Sequence, residues 1–183
     1  MSRPLKGILL TCAAVFAFAS LDSLSKYLTA FNSVLMILWV RYLAQTFLLA
    51  AWQLPRHGLR MLRVNCPGLQ VLRGLSLLSI SLFFLFALRY LPIGEATAVH
   101  FLTPLLVILL AIPMLGERAS LAQWLLVAVG FAGVLIIVRP GGGLLTPAML
   151  LPVGSACSYA IFQLLTRRIG SRDSAPTTTL VTA

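Results

Sequence analysis

The sequence predicts an all-α protein that forms a polytopic bundle of transmembrane helices. Sixty per cent of its 183 residues are apolar and only 10% are charged, whereas soluble domains carry about 25% charged residues. A bilayer core of about 30 Å requires about 20 apolar residues in each helix. Long unbroken stretches of this kind, which favour helices over alternating strands, lie near 7–28, 34–54, 71–90, 95–115, 119–138 and 147–166.

The net charge of +10 follows from the membrane topology that the sequence predicts. If the amino terminus is cytoplasmic, ten of the fourteen basic residues face the cytoplasm: Arg3, Lys6, Arg56, Arg60, Arg63, Arg73, Arg118, Arg167, Arg168 and Arg172. Such an excess on one side is the positive-inside pattern. The lipid bilayer is therefore the predicted partner, and the basicity indicates no nucleic acid.

The chain divides into a first unit at 1–140, a Gly-rich connection at 141–147 and a second unit at 148–183. A shift of 141 positions places Asp22 on Gln163 (163 − 22 = 141) and Lys26 on Arg167. Five helices separate the two starting points, so the second copy would enter the membrane in the opposite sense. We interpret this as an inverted repeat, with coincidence among apolar segments as the alternative. A seventh helix is expected to begin near Thr177.

Ionisable side chains inside the spans are the first functional candidates, because each costs about 2.5–3.5 kcal/mol on insertion scales. These residues are Asp22, Lys26, Arg41, Glu95 and His100. In one interpretation Asp22, Lys26 and Arg41 neutralise one another and hold two helices together, or Lys26 extends to the membrane surface. In the other they line a polar outer cavity in which Arg41 balances Asp22, and a substrate or a proton competes for one of these two.

Pro104 interrupts the fourth predicted helix and frees the carbonyl group of His100, because proline lacks a backbone N–H. A substrate or water could bind that carbonyl, as in the broken helices of transporters. Alternatively, Thr103 and neighbouring side chains accommodate a simple kink. Gln163, the repeat partner of Asp22, is a candidate for an inner gate.

Small residues in the fifth predicted helix allow close packing of a second backbone, namely Ala128, Gly130, Ala132 and Gly133. The pattern does not distinguish the fourth helix from another subunit as the neighbour. The sequence therefore leaves the formation of a dimer undecided.

The sequence predicts no cofactor and no enzymatic activity. Its three cysteines show no metal-binding spacing: Cys12, Cys66 and Cys157. The spans hold no paired carboxylates and no His/Cys cluster that could activate water. The alternatives to a transporter are an intramembrane enzyme and a scaffold that transports nothing, in which the polar cluster could be made apolar without loss beyond assembly.

Ordered motifs along the chain resemble a known family. They are Asp22 and Lys26, then Trp39-Val40-Arg41-Tyr42, Arg73-Gly74, Ala87-Leu88-Arg89-Tyr90-Leu91-Pro92, Glu95-Ala96-Thr97-Ala98, Phe101-Leu102-Thr103-Pro104, Leu115-Gly116-Glu117-Arg118 and Gly130-Phe131-Ala132-Gly133-Val134. This series is similar to the EamA domain of the drug/metabolite transporter superfamily. The resemblance implies ten helices in two inverted five-helix repeats, so the chain would hold one repeat and the start of the next.

The same resemblance implies a function. Such proteins carry small metabolites or drugs across the bacterial inner membrane, often by efflux, and some take up vitamins or nucleoside-like compounds. The expectation is therefore a secondary transporter that works by alternating access, with a small molecule and possible protons as its partners.

Overall fold

The computed structural model describes residues 3–58, 64–116, 120–138, 146–170 and 177–179. Within these ranges every regular element is helical, which confirms the predicted fold class. The main helices are α1 (Arg3–Leu28), α2 (Val34–His57), α3 (Pro67–Tyr90), α4 (Ile93–His100), α5 (Thr103–Leu115), α6 (Leu121–Val138) and α7 (Leu150–Ile169). A short 3₁₀ helix, Pro147–Met149, precedes α7, and residues 177–179 form a further helical turn.

Five described segments are long and apolar enough to cross a membrane. They are Gly7–Leu28, Val34–Pro55, Pro67–Tyr90, Ile93–Met114 and Pro147–Ile169. The predicted span at 119–138 corresponds to α6, in which a shorter apolar segment covers Leu121–Gly133. The polytopic helical bundle is thus confirmed, whereas most of the predicted Gly-rich connection lies outside the described residues.

The fourth predicted helix, near 95–115, is divided into α4 and α5. Phe101 and Leu102 form the turn between them, and Pro104 occupies the first turn of α5. Proline is well tolerated there, since the first helical N–H groups have no partner within the helix. At the other end of α5, Gly116 caps the helix in the left-handed conformation, with φ of 68°.

The centre of the bundle is the contact between α3 and α7. Ser155 of α7 donates a hydrogen bond to the carbonyl of Ile80 at 3.1 Å, and Arg73 near the start of α3 donates to Thr166 near the end of α7. These two pairs make the helices antiparallel. Ala156 and Ala160 are completely buried on α7, and small side chains at a spacing of four residues allow such close approach. Helices α4 and α5 also pack on α7.

Helices α1 and α2 lie at the periphery. The most apolar window of α1 has no buried residue, compared with 39% for α3 and 33% for the span that contains α7. Helix α2 meets α3 through a small cluster that includes Val34, Leu38 and Leu85, and through Tyr42, whose hydroxyl group lies 2.8 Å from that of Ser81. Most of the apolar surface of α1 is therefore left to the lipid or to another helix.

Candidate functional site

Lys26 binds the end of α3. Its ammonium group donates hydrogen bonds to the carbonyl oxygens of Leu88 and Leu91, the latter at 2.8 Å. Carbonyl groups in the last turn of a helix lack partners within the helix and carry partial negative charge. Lys26 therefore caps α3 and ties α1 to it, a role that neither sequence interpretation included.

Asp22 and Arg41 lie close to each other without forming an ion pair. Asp22 is half-buried on α1, and the charge of Arg41 on α2 acts on it electrostatically. Arg41 also lines an apolar groove of about 620 Å³ between these two helices. Their predicted role in coupling or substrate binding stays a prediction.

His100 lies apart from that pair, at the end of α4. Its ring contacts Phe84 of α3, with 5.3 Å between ring centroids, and Tyr159 of α7 at 5.5 Å. Within the described part of the chain its Nδ1 atom is buried without a hydrogen-bond partner. The five predicted ionisable residues thus do not form one group. Asp22 and Arg41 belong to α1 and α2, Lys26 binds the end of α3, and the other two belong to α4.

The freed carbonyl of His100 is occupied from within the chain. The Thr103 hydroxyl group donates to it at 2.7 Å, so the kink is accommodated locally next to Pro104. Glu95, in the first turn of α4, has a buried Oε2 atom that no described group binds. Since five residues turn a helix by about 140° beyond a full turn, Glu95 and His100 lie on different faces of α4.

Gln163 is exposed on α7 and lines a groove of about 380 Å³. The groove also includes Phe162, Thr166 and Arg167 of α7 and Val107 of α5. Gln163 therefore lines a groove between α5 and α7, whereas its proposed repeat partner Asp22 belongs to α1, next to α2.

Four rings form a continuous series that the sequence interpretation missed. Phe84, His100, Tyr159 and Phe162 follow one another in contact, and the last pair is stacked with 6.1 Å between centroids and 10° between planes. We call these four residues the aromatic row. The spacing of Tyr159 and Phe162 by three residues was a visible signal, since it places both on one face of a helix.

Arg73 closes one end of the aromatic row. Its guanidinium carbon lies 4.5 Å from the centroid of Phe162, within the range of a cation–π contact. It also donates to the Thr166 hydroxyl at 2.8 Å and to the carbonyl of Thr178 at 2.7 Å. This arginine, counted in the sequence as one of many cytoplasmic charges, is 7% exposed and joins three segments.

The described residues contain no group of three or more His, Cys, Asp or Glu side chains that could hold a metal ion. The site consists of aromatic rings, hydroxyl groups, amides and isolated charges. Such an arrangement can bind and orient a small molecule by stacking and hydrogen bonding.

The sequence model of the EamA-like transporter family matches residues 5–139. The chain belongs to this family. The match covers α1 to α6, and α7 follows it. In this EamA protein the aromatic row therefore joins the matched domain, through Phe84 and His100, to the helix that comes after it.

Curated relatives of this EamA protein are named as transporters. It is 32% identical to riboflavin transporters of Rhizobium johnstonii and Vibrio cholerae, over 98% of the chain and 60% and 61% of those proteins. It is 27% identical to the S-adenosylmethionine uptake transporter of Rickettsia bellii, over 84% of the chain and 52% of that protein. The chain thus spans about half to three-fifths of these relatives. No solved structure matches it significantly.

Proposed function

We propose that this chain is part of a secondary transporter that carries a small metabolite across the bacterial inner membrane, with its amino terminus in the cytoplasm. The EamA family and the transport functions named for its relatives support this activity. The structural observation that carries the proposal is the packing of α7, beyond the matched domain, against α3, α4 and α5.

In a transporter that works by alternating access, the contact between α7 and the matched domain would be the interface at which the two repeats move. In our proposal α7 begins a second repeat of opposite orientation, and movement of one repeat against the other opens the site to each side in turn. The hydrogen bonds of Arg73 to Thr166 and Thr178 then hold one end closed and are released when it opens. The excess of arginine near this end supports a cytoplasmic location for it.

The direction and coupling of transport are part of the proposal. The name of the S-adenosylmethionine uptake relatives supports uptake ahead of the efflux that the family resemblance also allows. Asp22, with Arg41 acting on it, is the candidate for proton coupling. An intramembrane carboxylate near a cation is the type of group that proton-coupled carriers use.

A substitution at Gly154 tests this mechanism. A Cβ atom at Gly154 would lie 3.4 Å from the ring of Phe83, so Gly154→Leu wedges α7 away from α3. In proteoliposomes preloaded with unlabelled metabolite, we expect the unmodified chain to accumulate labelled riboflavin or S-adenosylmethionine by exchange. Gly154→Leu should lower the exchange rate roughly tenfold, the result of losing about 1.4 kcal/mol in the rate-limiting step.

Gly68→Leu is the matched control, because a Cβ atom at Gly68 meets nothing within 4 Å. It should leave the exchange rate unchanged, and size-exclusion chromatography establishes that both variants remain folded. Exchange no faster than in protein-free vesicles, for every metabolite tested, would contradict transport by this chain. Equal rates for the two leucine variants would contradict the role of the α3–α7 contact.

A further inference from the structure

The aromatic row differs from ordinary core packing in its exposure. All four of its residues are only partly buried, although three of them belong to α3 and α7, which form the most extensive helix–helix contact of the described residues. Tyr159 and Phe162 are nearly parallel, with 10° between their planes. Both rings are partly exposed, and planar rings stack on exposed aromatic faces.

The row also offers a polar atom without a partner. His100 Nδ1 is buried, and no described group hydrogen-bonds to it. Since a buried polar atom is unfavourable until it is paired, a ligand that presents a ring nitrogen or an amide there gains more than a plain hydrocarbon does. His100 is the last residue of α4, directly before the break at Phe101 and Leu102.

The other end of the row opens toward hydrogen-bonding groups. Phe162 is shared between the row and the groove of about 380 Å³ that Gln163, Thr166 and Arg167 also line. A substituent on a ring stacked at Phe162 would therefore lie near an amide, a hydroxyl and a guanidinium group.

A second aromatic pair in the same chain shows what is special about the row. Tyr27 and Phe31 have ring centroids 5.2 Å apart, a distance like those in the row. Both are highly exposed at the surface of the bundle, at 65% and 72%, and neither is in ring contact with a histidine among the described residues. Ring proximity alone therefore does not create the combination found around His100.

We propose that the aromatic row is the binding site for a flat heteroaromatic ring of the transported molecule, which stacks on Tyr159 and Phe162 and hydrogen-bonds to His100. The polar substituent of that ring occupies the groove beside Gln163. This assignment rests on the proposed transport function, because it names the class of cargo, but the argument for it uses only the geometry of the row.

Binding measured apart from transport tests the site. The purified 183-residue chain in lipid nanodiscs is titrated into riboflavin, whose fluorescence is quenched on stacking, and adenosine is titrated by calorimetry as a second planar heteroaromatic probe. We expect lumichrome, which has the ring without the ribityl chain, to compete with riboflavin. Ribitol, the chain without the ring, should not compete at the same concentration.

Ring deletion provides the matched variants. Tyr159→Leu should weaken riboflavin binding roughly tenfold, the size of one aromatic contact, whereas Tyr159→Phe keeps the ring and should stay within about twofold. Tyr27→Leu removes an aromatic ring from α1 and should have no effect. If the melting temperature shows that Tyr159→Leu is unfolded, His100→Gln replaces it, and its Kd for riboflavin should rise severalfold.

Three results would overturn the assignment: no binding of either planar probe, competition by ribitol as strong as that by lumichrome, or equal affinities for Tyr159→Leu and Tyr27→Leu. The last would mean that the row only packs the bundle. If the chain exchanges a ring-free metabolite but binds no planar probe, the proposed aromatic site is wrong and the proposed transport function is supported. If binding depends on the ring but no exchange occurs, the aromatic site is supported and transport by this chain is contradicted.

Discussion

Helices α1 and α7 have similar hydropathy and very different surroundings. Their spans are similarly apolar, yet the most apolar part of α1 has no buried residue whereas a third of that of α7 is buried. Both carry small residues that allow close packing. Apolar composition thus places a helix in the membrane, but it does not select the neighbour.

Polar contacts account for much of that difference. Helix α7 is fixed to α3 at two levels, by Ser155 with Ile80 and by Thr166 with Arg73, and its aromatic residues meet His100. Among the described residues, Lys26 is the one side chain of α1 that makes hydrogen bonds to α3. We therefore expect substitutions in the α3–α7 contact to have larger effects than substitutions in the α1–α3 contact.

The largest effect is expected at Arg73. Arg73→Met removes two hydrogen bonds made by a charged donor, and each is worth about 1.5–3 kcal/mol. We expect the free energy of unfolding, measured by titration with SDS in mixed micelles, to fall by about 3 kcal/mol. Arg89→Met is the control, because Arg89 is exposed in the last turn of α3. Equal stability of the two variants would contradict the central role assigned to Arg73.

An intermediate effect is expected at Lys26. Lys26→Met leaves the last carbonyls of α3 without their donor, which should cost about 1 kcal/mol of stability. The amide of Leu91, which donates to the carbonyl of Ala87 at 2.8 Å, should then exchange its hydrogen severalfold faster, as measured by mass spectrometry. Ser23→Ala is the matched change on α1, since that hydroxyl bonds only within its own helix among described groups. Unchanged exchange at Leu91 would show that Lys26 does not hold the helix end.

The smallest effect is expected on α6, which extends the comparison to a third helix. Gly130 has no atom within 4 Å of an added Cβ, although the sequence predicted a close backbone neighbour there. Gly130→Leu should therefore change the free energy of unfolding by less than about 0.5 kcal/mol in the same titration. A larger loss would reveal a helix or second subunit packed on this face of α6 in the membrane.

The positions of the helices were predictable because each depends on local sequence. Apolar runs and turn residues gave α2 and α3 to within a few residues at each end, and Pro104 marked the break that became the turn at Phe101 and Leu102. The fourth predicted helix, near 95–115, thus consists of two helices joined by that turn. There the Thr103 hydroxyl group satisfies the carbonyl that proline leaves free.

The site was harder to predict because its contacts join distant parts of the chain. Arg73 meets Thr166 and Thr178, which are 93 and 105 residues away, and no local pattern distinguishes it from the arginines that flank other helices. Tyr159 and Phe162 looked like ordinary apolar residues until α4 placed His100 beside them. The candidate role of Gln163 in a gate stays a prediction, now located between α5 and α7.

The hydrogen bonds of Lys26 also constrain the order of assembly. Its acceptors lie 62 and 65 residues further along the chain, so α1 reaches the insertion machinery before those carbonyl groups have been translated. Until then the ammonium group has no helix end to bind, and burying it in lipid costs about 2.5–3.5 kcal/mol. Helix α1 can therefore dock through Lys26 only after α3 has been made, and the arrival of α3 provides the docking point that retains it.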